Sequence, residues 1–469
     1  MQLIVGQDGD HATLATALAA AEEGARIVVR PGRYDEGELR LDRALMIVGD
    51  GPPGSVVIRA SFTITAAAEL RDFTIADSRG SALHVRGGAP HVTRVIVRDA
   101  AHVGLLVAAG GRGRFEAIEI SGSGWSNVEV RDDGSDPELC HCRIHDGKRG
   151  GLYVHDSARG RFDDCDIHGH ALANLFIQSS ADPLLRRCHI RDGKEGGLMA
   201  LDGGKGTLDG CEIFGNALSN VELREEAETK LVRCTLRNGR GSGLYAHSHA
   251  RGQLVDCAIF AHQRAGALVQ SGATPTLRGC SISGNRDSGL VFDRAGGGEV
   301  IDCSISDNPK AGIEVRDGSD PLVQRCRIEG AQAAGIEAED GGRGRFEDCT
   351  LSRIGAAGVA VGKNAAPILR RCTIDAALVG VSVVASGGAT VEDCTVIGRA
   401  VAAVSVRGRA VVSLAGSSLR GGRFGIYVDE QGGGIVENCV IIGRDRAFVR
   451  GTSDWVERDN EEFVREVAA

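Results

Sequence analysis

Aromatic side chains are scarce in this sequence: they make up 4% of its 469 residues, and only four are tyrosines. Glycine is abundant, with 67 residues. This composition argues against an ordinary mixed core of large side chains, and it favours a repeat built from small and β-branched residues. The length alone would allow two or three domains, so the number of domains has to come from the pattern of the chain.

Basic clusters and long apolar runs are also missing. The formal net charge is −9 and the chain contains no block rich in lysine and arginine, which argues against nucleic-acid binding through a basic surface. No apolar run approaches the roughly 18 residues that a membrane-spanning helix needs. The sequence therefore predicts no nucleic-acid partner and no membrane partner.

A secretion signal is not expected, because the first residues, MQLIVGQDGDHATL, lack a basic segment followed by an apolar one. The chain has 14 cysteines. Without a secretion signal, so many cysteines indicate free thiols in a reducing compartment. These observations together predict a cytoplasmic protein.

What the chain does contain is an internal repeat, which the cysteines mark. Apolar and polar residues alternate on both sides of each cysteine, and this alternation is the period of a β-strand. Successive members of the series lie 23 residues apart, with a last interval of 22: Cys142, Cys165, Cys188, Cys211, Cys234, Cys257, Cys280, Cys303, Cys326, Cys349, Cys372 and Cys394. The same frame continues through Phe73, Val95 and Ile118 before the series and through Ser417 and Cys439 after it.

A repeat of this length, made of short strands and glycine-rich turns, cannot bury its own apolar side, whereas stacked copies can. The sequence predicts an all-β chain, a single right-handed parallel β-helix (solenoid) of about 17 coils. Residues 1–60 are predicted to form the N-terminal cap and entry coils, 61–445 the β-helix, and 446–469 a C-terminal cap. Short helices are expected in both caps, at residues 11–25 and in the acidic tail that begins at Ser453.

Two stretches carry a family resemblance. GARIVVRPGRYDEGELRLDRALMIVGDG resembles the entry segment of pectin-lyase-like β-helices. DPLLRRCHIRDGKEGGLMALDGGKGTLDGCEIFGNALSNVEL resembles the carbohydrate-binding/sugar-hydrolase (CASH) repeats of a large F-box substrate receptor and of bacterial β-helix proteins. The resemblance implies the β-helix fold over most of residues 1–445. The ubiquitin-ligase role does not carry over, because the sequence has no F-box and no cysteine-rich zinc module after Cys439.

The stretch FDDCDIHGH, residues 162–170, contains paired carboxylates, a cysteine and two histidines, which are groups of a glycosidase or a metal site. The repeat gives a simpler explanation. The residue before each cysteine tends to alternate in charge, as in Asp164 and Arg187, so stacked coils about 4.8 Å apart would form a charge ladder that fixes the register.

The cysteines lie an even number of residues from the inward apolar residues of the same strand, so they should also point inward, which predicts buried free thiols. Neither a metal nor a cofactor is predicted.

One column of outward residues, formed by equivalent positions on successive coils and called a file below, is rich in aromatic and histidine side chains. Its pairs are Tyr153/His155, Phe176/Gln178, Met199/Leu201, Glu222/Arg224, Tyr245/His247 and Leu268/Gln270. The adjacent turns contribute Lys148, Lys194, Arg240 and Arg286, with His170, Asn216 and His262 on the intervening coils. Aromatic, basic and histidine side chains on a flat parallel sheet are suited to an extended anionic ligand.

This file defines the candidate binding site. Its partner is expected to be an acidic polysaccharide or a protein with acidic or phosphorylated residues. Surface filling and an oligomer interface are the alternative explanations for the same residues, and the oligomeric state stays open. The candidate binding residues are Tyr153, His155, Phe176, Gln178, Met199, Arg224, Tyr245, His247, Lys148, Lys194, Arg240 and His170.

Three classes of function are compatible with the sequence. The first is a non-catalytic recognition scaffold, which the near uniformity of the repeats favours because catalysis usually needs a locally irregular set of residues. The second is a carbohydrate-active lyase, hydrolase or epimerase. In that case Tyr153, His155 and Asp156, or Tyr245 and His247, would serve as base and acid. The third is a structural, self-assembling rod.

Overall fold

The structure is a computed structural model that describes residues 1–451 and 455–464. The chain divides into two compact units. The first comprises Met1–Glu222 with Glu226–Thr235, and the second comprises Leu223–Glu225 with Leu236–Ala469. Each unit is a parallel β-solenoid, and the chain has about 20 turns of about 23 residues with about 2% helix. The prediction of an all-β solenoid is confirmed.

Most turns contribute three short strands, which form three rows. In the first unit, the row before the cysteine position consists of Gln2–Val5, Arg26–Val29, Met46–Gly49, Glu69–Arg71, His91–Thr93, Arg114–Glu116, Glu138–Cys140, Arg161–Asp163, Leu184–Arg186, Thr207–Asp209 and Lys230–Val232. The row after that position consists of Thr74–Ala76, Ile96–Arg98, Glu119–Ser121, Arg143–His145, Asp166–His168, His189–Arg191 and Glu212–Phe214. The third row consists of Leu83–Arg86, Leu105–Ala108, Val128–Val130, Leu152–Val154, Leu175–Ile177 and Leu198–Ala200. Two longer strands, Gly32–Leu41 and Val56–Ile64, run through the second and third rows.

The second unit repeats these rows. Its first row consists of Gln253–Val255, Thr276–Arg278, Glu299–Ile301, Leu322–Gln324, Arg345–Glu347, Ile368–Arg370, Gly388–Glu392, Val411–Ala415, Gly433–Glu437 and Trp455–Arg458. Its second row consists of Ala258–Phe260, Ser281–Ser283, Ser304–Ser306, Arg327–Glu329, Thr350–Ile354, Thr373–Ala376, Thr395–Gly398, Ser418–Gly421, Val440–Gly443 and Glu461–Val464. Its third row consists of Leu244–Ala246, Ala267–Gln270, Leu290–Asp293, Ile313–Val315, Ala334–Ala338, Ala357–Val361, Val379–Val383, Ala402–Val406, Phe424–Val428 and Arg446–Val449. The strands Val221–Leu223 and Thr235–Arg237 contain the boundaries between the units.

The core of each unit consists of apolar side chains stacked in register. In the first unit Leu152 pairs with Leu175, and Leu175 pairs with Leu198, and all three side chains are fully buried. The residues between them along each strand point outward, as alternation within a strand requires. Tyr153 and Phe176, which were predicted to face outward, are accordingly half-buried.

The predicted number of coils was too low, because about 17 were expected and the chain has about 20. The cysteine frame could be followed only back to Phe73. The strands Gln2–Val5, Arg26–Val29 and Met46–Gly49 are spaced irregularly, and they nevertheless pair in parallel with one another. A coil count based on a fixed interval between residues therefore did not include these first turns.

The charge ladder is present, in a conformation that the sequence did not reveal. Asp164 and Arg187 have φ angles of 55° and 50°, so each is a single left-handed residue that links two strands. Arg187 donates hydrogen bonds from Nε and Nη2 to Asp164 at 2.9 and 2.7 Å. The same two hydrogen bonds recur in the second unit between Arg325 and Asp302 and between Arg371 and Asp348.

The cysteines of the repeat are buried free thiols, as predicted. The thiol of Cys165 donates to the carbonyl oxygens of Leu139 at 3.5 Å and Asp163 at 3.4 Å. A hydrogen bond with Cys142, together with burial, raises the pKa of Cys165 well above its usual value. The thiol of Cys165 therefore stays protonated and packs as a small apolar group. Within the described ranges, no three or more His, Cys, Asp or Glu side chains form a group that could hold a metal ion.

The N-terminal cap contains the predicted helix, which is shorter than expected. Helix α1, Leu14–Ala20, begins after Thr13, whose hydroxyl accepts a hydrogen bond from Thr16 N at 3.2 Å. The carboxylate of Glu36 accepts a second hydrogen bond, from Leu14 N at 2.5 Å. These two acceptors satisfy N–H groups of the first helical turn, which have no partner within the helix. No helix in residues 1–451 or 455–464 has the length and apolarity to cross a membrane.

The C-terminal helix was predicted wrongly where the structure describes it. Trp455–Arg458 and Glu461–Val464 are β-strands that pair in parallel with Gly434–Glu437 and Val440–Gly443. Adding strands satisfies the backbone groups of the preceding turn, which would otherwise form an open sheet edge. The remaining parts of that predicted cap, residues 452–454 and 465–469, lie outside the described residues.

Candidate functional site

The candidate site of the first unit is built on three neighbouring strands of the third row. Glu129 pairs in register with Tyr153, and Tyr153 pairs with Phe176. All three side chains point away from the core, because the residues on either side of each are buried. In-register parallel strands therefore bring an acid, a phenol and an aromatic ring side by side on consecutive turns.

Tyr153 is at the centre of an aromatic cluster. Its ring stacks on that of His155, two residues further along the same face, with a centroid distance of 4.3 Å. It also meets the ring of Phe176 edge to face at 5.8 Å. These contacts hold the tyrosine ring between two neighbours, so its hydroxyl is positioned by packing.

His155 lies between two carboxylates. Its Nε2 is 3.3 Å from Glu129 Oε1, and its Nδ1 is 2.9 Å from Asp156 Oδ2. Burial alone would lower the pKa of His155, but the hydrogen bond to Glu129 and the charges of Asp156 and Glu129 outweigh burial and raise the pKa. The doubly protonated imidazolium is the form that can donate to both acids at once. Glu129 is only 6% exposed, and Arg131 forms an ion pair with it at 3.4 Å.

The phenol of Tyr153 is held in its protonated form. Burial raises its pKa, and the negative charges of Glu129 and Asp156 raise it further. A side-chain hydrogen bond with Gln178 lowers the pKa of Tyr153, but by less than burial and the two negative charges raise it. Tyr153 is therefore a proton donor at neutral pH.

A second aromatic residue is presented by the loop beside these strands. Trp125 is 45% exposed, and the guanidinium of Arg149 lies over its ring at 3.9 Å from the centroid. Arg149 is itself exposed. A cation resting on an indole face is held flat while its N–H groups stay available to an anion.

These side chains line a groove. A cavity of about 550 Å³ is bordered by His102, Trp125, Glu129, Arg131, Tyr153 and His155. A smaller cavity of about 130 Å³ shares Trp125 and Tyr153 with it and adds Arg149, Phe176 and Gln178. A third cavity of about 500 Å³, which contains Arg59, Arg79 and His84, meets the first at Ser81. The groove therefore continues over several turns of the first unit.

The predicted binding residues are distributed unequally. Tyr153, His155, Phe176 and Gln178 lie together in the groove, and Met199 follows Phe176 in register on the next turn. The exposed turn residues Lys148 and Lys194 do not belong to the groove lining described above. The other predicted residues belong to the second unit: Arg224, Arg240, Tyr245 and His247.

The prediction that His170 borders the outward surface is wrong. Its side chain is fully buried, and its Nδ1 is 2.7 Å from Asn174 Oδ1 while its Nε2 is 3.2 Å from Asn127 Nδ2. Burial lowers the pKa of His170 to about 4. The turn directs the side chain of His170 inward, where it forms hydrogen bonds with the buried amides of Asn127 and Asn174. His170 is therefore a structural residue of the core.

Several groove residues were not found from the sequence. Glu129 and Arg131 occupy the same outward positions as Tyr153 and His155 on the preceding turn, so the alternation rule could have found them. Trp125 and Arg149 lie outside the strands, and only the folded turns bring them to the groove wall.

Comparison with known proteins agrees with this architecture. Residues 81–220, 128–269, 219–374 and 357–461 match the family described as "Right handed beta helix region". The chain belongs to this family. The predicted right-handed parallel β-helix is thus confirmed. No curated protein matches the sequence.

Solved structures with a similar fold include enzymes that act on polysaccharides. The periplasmic alginate epimerase AlgG is 11% identical over 61% of this chain and 72% of its own, with a TM-score of 0.42. The PL6 family alginate lyase AlyGC is 10% identical over 98% and 89%, with a TM-score of 0.41. The PL6 family polysaccharide lyase Pedsa3628 from Pseudopedobacter saltans is 11% identical over 62% and 84%, with a TM-score of 0.44. Likenesses of this degree carry no information on function.

Proposed function

We propose that the groove of the first unit binds an acidic polysaccharide and cleaves it by β-elimination, as a polysaccharide lyase does. The observation that carries this proposal is the cavity bordered by His102, Tyr153, His155 and Arg131. It combines a group that can accept a proton, one that can donate a proton, and cations that can neutralise a carboxylate. Eliminating a glycosidic oxygen from a uronate needs these three roles together.

The groove is suited to a chain of uronate sugars. The aromatic rings of Trp125, Tyr153 and Phe176 offer apolar surface to sugar rings. Arg131 and Arg149 provide guanidinium groups, which pair with carboxylates through two parallel hydrogen bonds. The turns of a parallel β-solenoid are about 4.8 Å apart, which is close to the length of one sugar ring, so successive rings can meet successive turns.

The reaction can be written with the groups in the cavity. The imidazole of His102 accepts the proton from C5 of the uronate, and the C–H electron pair forms a double bond between C4 and C5. The bond from C4 to the glycosidic oxygen breaks, and its electron pair stays on that oxygen. The leaving oxygen then takes the phenolic proton of Tyr153, whose raised pKa keeps that proton available.

His155 has an electrostatic role in this scheme. The proton on C5 is removed more easily when the charge that develops on the neighbouring carboxylate is stabilised. An imidazolium at His155, favoured by Glu129 and Asp156, and the guanidinium of Arg131 provide this stabilisation. Glu129 acts through His155, so it is a positioning residue.

The non-catalytic scaffold expected from the uniform repeats has less support. That expectation rested on the absence of a locally irregular set of residues. His102, Trp125 and Glu129 form such a set around Tyr153, and the repeat does not require their side chains. Binding without chemistry remains as one outcome of the test.

The test uses a panel of uronate polymers: alginate, polygalacturonate and glucuronan. Wild-type protein is expected to release products with an unsaturated uronate end, which absorbs ultraviolet light that the intact polymer does not absorb. Tyr153→Phe should lower kcat by about 10²–10⁴-fold with little change in KM, because it removes the proton donor and keeps the ring. Tyr427→Phe, at another outward tyrosine, is the control and should leave kcat unchanged. No unsaturated product from any polymer of the panel would contradict the lyase proposal.

A further inference from the structure

The outward residues of the groove recur later in the chain. The first set is Glu129/Arg131, Tyr153/His155 and Phe176/Gln178, and the second is Glu222/Arg224, Tyr245/His247 and Leu268/Gln270. Five of the six positions carry the same residue type in both sets. Two of the four tyrosines of the chain occupy the central position. The 23-residue repeat alone does not require this agreement, because the outward residues of the intervening turn, such as Met199 and Leu201, are different.

The structure shows the same local geometry around Tyr245, His247 and Gln270, which belong to the second unit. The rings of Tyr245 and His247 stack with a centroid distance of 4.4 Å and an interplanar angle of 28°. The corresponding values for Tyr153 and His155 are 4.3 Å and 27°. Gln270 donates from Nε2 to the hydroxyl of Tyr245 at 2.5 Å. Both rings are half-buried, so each keeps part of its surface open to solvent.

We propose that Tyr245, His247 and Gln270 form a second saccharide-binding site, in the second unit, for the same class of acidic polysaccharide. This inference rests on the function proposed for the first unit, because the occupant is identified by the chemistry that the two sets share. The stacked phenol and imidazole offer an apolar face and a polar edge to a sugar ring. Arg224 occupies the sequence position of Arg131 and adds a cation to the second unit.

The second set binds without cleaving. In the repeat, Ser248 stands at the position of Asp156, and His247 Nδ1 is 2.9 Å from its hydroxyl. A neutral hydroxyl thus stands where the first set has a carboxylate. Leu218 stands at the sequence position of Trp125. The second set thus keeps the central stacked pair and lacks two groups that complete the first.

The experiment measures binding and turnover separately. Polymer affinity is obtained from electrophoretic retardation in gels that contain alginate, polygalacturonate or glucuronan. Tyr245→Ala combined with His247→Ala should weaken polymer binding roughly tenfold, because a polymer with many equivalent sugar residues gains affinity from two binding sites on one protein molecule. The kcat/KM for a trisaccharide should stay unchanged, since so short a ligand reacts in the first unit alone.

The controls separate the two proposals. Tyr427→Ala removes an outward tyrosine of the second unit that has Asp429, and no histidine, two residues further along the chain, and it should leave polymer retardation unchanged. Tyr245→Phe with His247→Gln tests the site if the alanine variant loses its thermal transition. An active wild type whose retardation is unaffected by the Tyr245 and His247 substitutions would overturn the second site alone. A wild type that neither cleaves nor is retarded by any polymer would overturn both proposals.

Discussion

At the scale of single residues, His155 is defined by the two carboxylates that face its ring. Its pKa is raised above the ordinary value of 6.5, so the imidazolium persists at pH values where a free histidine has lost its proton. Its positive charge is present below the raised pKa and is lost as pH rises through it. The pH dependence of turnover therefore reports on this residue.

The first prediction concerns that pH dependence. Turnover by the wild-type protein should hold above pH 6.5 and fall as His155 loses its proton at higher pH. Glu129→Gln should move this fall to lower pH, because it removes the main group that raises the pKa of His155. The measurement is a pH profile of kcat for both proteins. Identical profiles would show that Glu129 does not act through His155.

His170 shows how burial can remove a residue from the functional surface. Its pKa is lowered to about 4, mainly by burial, whereas the unfolded chain has a histidine pKa of about 6.5. The unfolded state therefore binds the proton more readily. The free energy of unfolding should fall as pH decreases from 6.5 through about 4.

The second prediction follows from this linkage. His170 should lower the free energy of unfolding by roughly 3 kcal/mol between neutral pH and pH 4. His170→Asn, which places there the residue found at Asn216, should remove this part of the dependence and keep the column of buried amides. His262, also with a lowered pKa of about 4, keeps its own contribution. The check is denaturant unfolding at several pH values, and equal pH dependence in both proteins would argue against the buried, neutral His170.

At the scale of elements, the residue before the cysteine, which links two strands, has to meet two structural requirements. Asp164 has to adopt a left-handed conformation, and its carboxylate has to meet Arg187 on the next turn. Asparagine, aspartate and glycine accept that conformation most readily. Arginine adopts the same conformation at Arg187, where its guanidinium donates two hydrogen bonds to Asp164.

The third prediction tests this ladder. Asp164→Arg should lower the Tm by no more than about 2 °C, because the pair with Arg187 is largely exposed. Added salt should shrink the difference, since it screens repulsion between exposed charges. Combining Asp164→Arg with Arg187→Asp should restore most of the loss. A large drop in Tm that is insensitive to salt would mean that Asp164 acts through its backbone conformation instead.

The sequence predicted the elements better than it predicted the links between them. Alternation around Cys165 and Ile167 correctly placed the inward and outward residues, because the period of a strand is a local property. The left-handed conformation of Asp164 was missed because aspartate also occurs in strands and turns. His170 was misplaced for a similar reason: the direction of a turn side chain depends on how the chain bends.

At the scale of the whole molecule, regular repetition made the fold predictable and concealed part of the candidate site. Each turn repeats the same inward residues, so the β-solenoid follows from the interval between cysteines. The groove depends on residues that depart from the repeat, such as Trp125 and His102, which only the folded turns bring beside Tyr153. The irregular first turns and the final strand Glu461–Val464 lie at the margins of the repeat, and there the predicted coil count and C-terminal helix were wrong.

The most direct measurement of the central claim is a proton NMR spectrum of uronate polymers incubated with the protein in D2O. The proposed chemistry removes the proton on C5, so the signal of that proton should decay while a vinylic signal from C4 appears. Tyr153→Phe should slow both changes together. Loss of the C5 signal without a vinylic signal would indicate epimerisation in place of elimination. Spectra that stay unchanged for every polymer, even where the protein binds the chain, would contradict a catalytic groove.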